Sequence, residues 1–299
     1  MLQALLADLK ALDGLKIRVC LDSRCLDTFS AAELEIVPVQ AGVDILTQLP
    51  ALMADCDAVW PIAPESNGVL AKIAEMIVAQ QKIPLLSSPQ AVALCADKLA
   101  VFQLLKVHAI PVVETALADQ AQFISFPCVI KPRDGLGCEG TQVLENSVQL
   151  TQAMTEWVNP AQAILQPFCA GQAISLSALF RYGQAWLLCV NQQQMQLQNR
   201  QFHLQACLVN IPNIYTEYFQ GLITRIAGLI PGLWGYIGID LMDTTAGPLL
   251  LEINPRLTSS YAGIHNALGI NPAEQVLRLL KAEPVWEQQC NQSIRIEMD

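Results

Sequence analysis

Along about the first 90 residues, short β-rich runs alternate with helical runs; beyond them, strand-like runs crowd together at close spacing. No other feature limits the fold as tightly. Residues 16–21 (KIRVCL) alternate and are rich in branched side chains, the pattern of a strand. A loop at Asp22-Ser23-Arg24 follows, then a second apolar run at 57–62 that ends in Ala63-Pro64-Glu65-Ser66-Asn67-Gly68. An amphipathic helix is expected over 69–81 and a short strand over 82–86; Ser88 with Pro89 then reads as a helix N-cap and first helical residue. Strands separated by helices pair in parallel, because a parallel neighbour needs a crossover that a helix supplies. Loops at the carboxyl ends of such strands face a ligand.

The second part reads differently. A helix at 97–107 and a strand at 127–131 precede a glycine-rich loop, and strands at 164–167, 174–181 and 184–190 follow, the last two joined at Tyr182-Gly183 by a hairpin turn. The glutamine-crowded stretch 191–205 reads as hairpin strands, since Met195 and Leu197 alternate with Gln194, Gln196 and Gln198. A helix at 215–229 leads to strands at 234–242 and 248–254, and Asn271, Pro272 and Glu274 open the last clear helix with a capping box. This half is antiparallel and mixed.

Composition narrows the function. A chain of 299 residues with 53% apolar and 15% charged residues can bury a large core and form about two domains. The net charge of -10 and the lack of a basic block argue against nucleic acid and anionic membrane as partners. No apolar run reaches the ~18 residues of a membrane span, and Asp8, Lys10 and Asp13 break the N-terminal segment where a signal peptide would be apolar. The 10 cysteines contain no C-x-x-C pair, which points to a reducing, cytoplasmic compartment. His108, His203 and His265 form no motif.

The chemistry concentrates in GYIGIDLMDTTAGPLLLEINPR. Glu252 and Asn254 are two residues apart and share one strand face. In a hairpin, Asp240 lies opposite or diagonal to Glu252, within about 5–8 Å. Two unpaired carboxylates on an apolar sheet repel, a divalent cation removes that cost, and oxygen donors favour Mg²⁺ or Mn²⁺; strand-end charges on a solvated face are the plainer alternative. Arg256, two residues on, points the same way if the strand continues and suggests an anion shared with the metal; a salt bridge to Glu252 or Asp240 is its alternative. Thr258, Ser259 and Ser260 are hydroxyls suited to a substrate carboxylate.

Lys131 ends an apolar strand on the face of Val129, and a lysine there calls for an anion. Gly135, Gly137 and Gly140 in the following loop (DGLGCEG) let backbone N–H groups approach phosphate. The lysine precedes the loop, so this is not a Walker A motif, and G-x-G-x-x-G is absent. Lys98 opens a helix, where the dipole disfavours a cation unless a phosphate is near; an exposed lysine is the alternative. Gln166-Pro167-Phe168 ends a strand, and its backbone edge would suit an adenine or be a plain strand end.

Taken together, Lys98, Lys131, DGLGCEG, LQPF and Asp240…Glu252-Ile253-Asn254-Pro255-Arg256 resemble the ATP-grasp superfamily in order and spacing over about residues 16–282. APESNG, SSPQAVALCADK, KPRDGLGCEG and EINPRLTSSYAG are similar, more closely, to the tyramine–glutamate ligase group of methanofuran-type cofactor biosynthesis. The resemblance implies an α/β and α+β chain. Residues 1–95 would form a pre-ATP-grasp parallel-sheet domain, and 96–299 an ATP-grasp domain with subdomains at about 96–168 and 169–299 that clasp ATP.

By the same resemblance Lys98 and Lys131 hold phosphates, Gln166 and the Phe168 backbone meet adenine, and Asp240, Glu252 and Asn254 bind Mg²⁺. Arg256, with Lys131, stabilises charge at the γ-phosphate or an acyl phosphate. The family often has a ribose-binding Glu shortly after the hinge; Ala173, beside Gln172, stands there. The amine is expected in a crevice bounded by Glu65, the 22–24 loop and 258–260, with Glu65 orienting a cationic amine or serving only as a loop-end carboxylate.

The implied reaction joins a carboxylate, glutamate by resemblance, to an amine or amino acid through an acyl phosphate, with ATP as cosubstrate. The implied partners are these small molecules, with a homodimer as the assembly. A non-catalytic nucleotide-binding protein of the same fold and a phosphotransferase without an amine acceptor are the competing readings.

Overall fold

The computed structural model describes residues 1–28, 34–120, 124–157 and 159–298. Helix α1 (Leu2–Lys10) precedes β1 (Ile17–Asp22), β2 (Leu34–Val39), α2 (Ile45–Met53), β3 (Ala58–Val59), α3 (Val69–Ala79), β4 (Ile83–Pro84) and α4 (Pro89–Ala96). The parallel pairing expected here is present, but as two separate two-stranded sheets: β1 with β2, and β3 with β4. The expected 57–62 strand shrinks to two residues. Pro61 stands two residues past its end, and Pro84 closes its partner; proline offers no N–H to a ladder. Ser88 caps α4 as expected, its Oγ accepting from Ala91 N–H at 3.2 Å.

The rest of the chain comprises α5 (Lys98–Val107), β5 (Ala116–Leu117), β6 (Cys128–Pro132), β7 (Gln142–Leu144), α6 (Ser147–Met154), β8 (Ala163–Pro167), β9 (Gln172–Arg181), β10 (Gln184–Gln198), β11 (Gln201–Val209), α7 (Thr216–Leu229), β12 (Gly235–Thr244), β13 (Gly247–Asn254), α8 (Tyr261–Leu268), α9 (Pro272–Arg278) and β14 (Ile294–Glu297). Ten strands form one antiparallel sheet in the order β13-β12-β9-β10-β11-β7-β6-β8-β5, with β14 added on β11. Between β11 and β7 a single residue pair, Gln201 with Gln142, joins its two halves. The glutamine-rich stretch is indeed hairpin strands, turned at Asn199-Arg200 with φ of 51° and 67°.

Two cores flank the larger half. On one face α7 packs Phe219, Leu222, Ile223 and Ile226, spaced i, i+3, i+4 and i+7, against Leu176, Ile237 and Ile239. On the other, α8 and α9 pack Tyr261, Ile264 and Val276 with Leu5 of α1. The N-terminal helix, unforeseen in the sequence, is anchored there by Asp8, whose carboxylate meets Tyr261 Oη at 2.8 Å and His265 Nδ1 at 2.6 Å. None of the 10 cysteines is in a disulfide. Among the described residues no helix is long and apolar enough to cross a membrane.

Candidate active site

A cleft of about 1290 Å³ opens where the two halves of the sheet meet. Along β12, Ile237, Ile239 and Leu241 point into the core, so Asp240 and Met242 point into the cleft. Asp240 stands directly opposite Glu252 of β13. Strict alternation would place Leu250 on the face of Glu252, yet Leu250 is fully buried in the opposite core. A bulge resolves this conflict. Asp240 pairs with Glu252 and Leu241 with Leu250, so Leu251 is the extra residue, and Leu251, Glu252 and Asn254 all reach the cleft.

Asp240 accepts from two amides, Gln193 Nε2 at Oδ1 and Asn254 Nδ2 at Oδ2, each at 3.0 Å. Glu252 Oε2 lies 3.1 Å from Lys98 Nζ, which also donates to the Gly135 carbonyl at 2.6 Å. Burial, and then the facing Glu252, push the Asp240 carboxyl well above its usual range. Burial acts the same way on Glu252, but Lys98 and Lys131 outweigh it and hold that carboxyl low. One acid of the pair therefore lacks full compensation from the protein. No cluster of three His, Cys, Asp or Glu side chains suited to a metal occurs among the described residues; the further oxygen this pair could be joined by is that of the Asn254 amide, whose Nδ2 faces Asp240. Two acids and an amide, short of positive charge, fit a hard divalent cation.

Across the cleft, β6 sends Cys128 and Ile130 into its own small core and Val129 and Lys131 into the cleft. Burial drives the Lys131 ammonium down to about 8, although Glu252 and Asp240 act to raise it. It has no hydrogen bond or ion pair among the described residues. A desolvated cation in that state favours an anionic ligand. Asp97 ties the start of α5, where Lys98 stands, to Arg133, two residues beyond Lys131. It caps α5 by accepting from Leu99 and Ala100 N–H at 3.1 Å, and it grips the Arg133 guanidinium through Nε at 2.6 Å and a second nitrogen. Asp97→Ala should therefore destabilise the protein by about 1–2 kcal/mol, seen as a lower midpoint in thermal unfolding.

Glycine is required in the loop for two reasons. A Cβ at Gly135 would come within 2.7 Å of Pro132, and Gly137 has φ +59. Both residues line the cleft, whereas Gly140, φ +66, stands outside its wall. Asn67 N–H donates to Asp134 Oδ2 at 3.0 Å and so ties the loop to the N-terminal unit.

At the expected hinge, Gln166 and Phe168 do line the cleft. The Gln166 amide, however, donates to Thr115 Oγ1 at 2.8 Å, and the Phe168 N–H donates to the Pro127 carbonyl at 3.0 Å. What Phe168 offers a base is its carbonyl. The strand ends at Asn254, so Arg256 is not aimed by strand alternation. Glu65 aims it, with Oε2 accepting from Arg256 Nε at 2.7 Å. That contact replaces the expected pairing with Glu252 or Asp240, and Glu65 is buried behind Arg256 rather than in the wall. Asp22 and Arg24 pair with each other at 2.6 Å and line no part of the cleft. Thr258, Ser259 and Ser260 do line it. Gln193, which reasoning from sequence missed, comes from the β10–β11 hairpin; alternation revealed the strands but not that they overhang Asp240.

A family model described as ATP-grasp domain matches residues 95–260, more than half of the chain, and one described as pre ATP-grasp 3 domain matches 15–92. The chain belongs to the ATP-grasp family. Its fold is the ATP-grasp fold with an N-terminal pre-ATP-grasp domain. Solved structures agree. The MgADP- and bicarbonate-bound biotin carboxylase domain of Hydrogenobacter thermophilus 2-oxoglutarate carboxylase is 15% identical, with TM-score 0.79 over 96% of this chain and 69% of that one. An L-amino acid ligase from Bacillus licheniformis is 17% identical, with TM-score 0.73 over 94% and 71%. An Archaeoglobus fulgidus structure described as a putative ATP-grasp superfamily protein is 21% identical, with TM-score 0.67 over 92% and 77%. At these identities the likeness is one of fold. An uncharacterized protein of Mycoplasma pneumoniae is 32% identical over 99 residues, 33% of this ATP-grasp chain and about a third, 34%, of its own length.

Proposed function

We propose that this ATP-grasp protein is an ADP-forming ligase that joins a carboxylate, glutamate by its resemblance to the tyramine–glutamate ligase group, to an amine. The observation that carries the reading is the facing pair Asp240 and Glu252, with Asn254, across one cleft from the unpartnered Lys131. Asp240, Glu252 and the Asn254 oxygen would hold Mg²⁺, which supplies the Lewis acidity that offsets polyphosphate charge.

The chain's own residues do the rest. Lys131 and Lys98 bind phosphate oxygens, and Lys98 leaves Gly135 to do so. Gly135 and Gly137 let the loop lie close over the phosphates and exclude water. The Phe168 carbonyl accepts from the adenine amino group, and Gln166 stiffens the hinge through Thr115. A carboxylate oxygen attacks the γ-phosphorus and ADP leaves. The amine nitrogen then attacks the acyl carbon, phosphate leaves, and the nitrogen loses a proton. Arg256, held by Glu65, faces the charge that develops in both steps. Thr258 and Ser260 face an organic substrate. Domains at 1–95 and 96–299 and a homodimer belong to the same reading; the Hydrogenobacter neighbour is described as a dimer.

One observation favours a second reading, a non-catalytic nucleotide binder: Ala173 lines the cleft after the hinge, where a ribose-binding acid is common in the family. ADP release with glutamate and a panel of amines decides between them. ADP and an amide product together support the ligase. Binding without turnover supports the second reading, and ADP without amide supports a phosphotransferase.

A further inference from the structure

We propose that Thr258 receives an N–H group of a primary ammonium, and hence the amine substrate rather than the carboxylate; this rests on the ligase reading. The ground is a count of hydrogens. Four hydroxyls form a closed ring: Thr258 to Ser260 at 2.9 Å, Ser260 to Ser177 at 3.2 Å, Ser177 to Tyr236 at 2.8 Å, and Tyr236 back to Thr258 at 3.0 Å. A diagonal contact joins Tyr236 and Ser260 at 3.1 Å. Each hydroxyl has one hydrogen. Four hydrogens can fill the four sides in either rotational sense, so the ring can take up every hydrogen it has.

Asn191 sets the ring's polarity from beneath. Its Oδ1 accepts from Asn210 N–H at 3.2 Å, which fixes the amide orientation, so Nδ2 donates to Ser177 Oγ at 3.0 Å. Ser177 then accepts twice and is saturated, and Ser260 is closed in by three oxygen neighbours, while Thr258, with two, keeps one open acceptor direction. Ser177, Tyr236 and Ser260 are 0%, 3% and 3% exposed, so water cannot replace a lost ring bond there. Thr258 is the partly exposed member, and with Ser260 it lines the cleft.

The neighbouring helix N-terminus is already engaged. The first N–H groups of α8, those of Tyr261, Ala262 and Gly263, donate to the Thr258, Ser259 and Ser260 carbonyls at 3.0, 3.2 and 3.1 Å. Arg256 has Nε held by Glu65 and Nη1 by the Leu257 carbonyl at 2.9 Å, and in the ligase reading its remaining nitrogen serves the phosphoryl group. An open acceptor on a hydroxyl whose hydrogen is taken up by the ring calls for a donor, and a primary ammonium carries three N–H groups. A carboxylate would have to break the ring to gain a donor from it.

Calorimetric titration of the full chain, first loaded with MgADP, tests this with tyramine, ethanolamine, N,N,N-trimethyltyramine and glutamate as probes. At least one primary amine should bind, and trimethyltyramine should bind about tenfold or more weakly than tyramine. Thr258→Val should weaken the primary amine by about tenfold and leave glutamate unchanged, whereas Thr258→Ser should restore the affinity. Equal binding of the methylated and unmethylated amines, loss of glutamate instead, or no amine binding to the MgADP-loaded protein would overturn the proposal. Failure to load MgADP would instead sink the ligase reading on which it rests.

Discussion

Glu252→Ala should lower magnesium-dependent ADP formation by about a thousandfold or more while leaving the fold intact. Glu252 faces the cleft and belongs to no hydrophobic core cluster, so its removal opens no core cavity. Its pairing with Asp240 is made by the backbone of β12 and β13, which alanine preserves. What the variant loses is one of two facing acids and the 3.1 Å partner of Lys98. The remaining Asp240 loses the neighbour that raises it, yet one acid and one amide bind a divalent cation far less well than two acids and an amide. Circular dichroism should match the parent protein, the unfolding midpoint should fall because Lys98 and Lys131 lose their counter-charge, and a coupled ADP assay should read near background. Full activity would remove the metal assignment.

Lys131→Met should weaken nucleotide binding by about a hundredfold and, at the same time, raise thermal stability by a few degrees. The two effects share one cause. Burial takes the ammonium from 10.5 to about 8. Between those values the unfolded chain binds more protons than the folded one, so stability rises with pH across that window. Below about 8 the folded protein holds a desolvated charge, and the penalty is fully present. Methionine fills the space without that charge. A phosphate needs the charged form, so the parent protein should bind ADP progressively less well as pH rises past about 8. The methionine variant should lack that dependence. Equal affinity in both proteins at pH 7 would show that Lys131 does not meet the nucleotide.

Much of this site was legible because its chemistry conflicts with its surroundings. A lysine at the end of an apolar strand and two acids in an apolar hairpin each require a partner, and two-residue periodicity sufficed to put Lys131 and the acids on definable faces. The bulge at Leu251 was not legible; period-two reasoning put Glu252 on the right side only because it started from Glu252 and not from Leu250. Arg256 would share the face of Asn254 only if the strand continued; it stops at Asn254, and the support of Arg256, Glu65, lies 191 residues earlier in the chain. A contact of that range leaves no periodic trace. The same holds for Gln166 with Thr115 and for Gln193 with Asp240, where each partner has an ordinary local pattern. In the N-terminal unit the alternation of strand and helix was readable, but Pro61 and Pro84 trimmed β3 and β4 to a single short parallel pair.

Titration of ADP into the protein with and without Mg²⁺ tests the central claim most directly, because it asks whether the facing acids and the two lysines act as one site. Saturable binding of one ADP per chain, weakened by about tenfold or more when the metal is left out, is the predicted result. Absence of ADP binding, or binding of equal strength without the metal, would contradict the account.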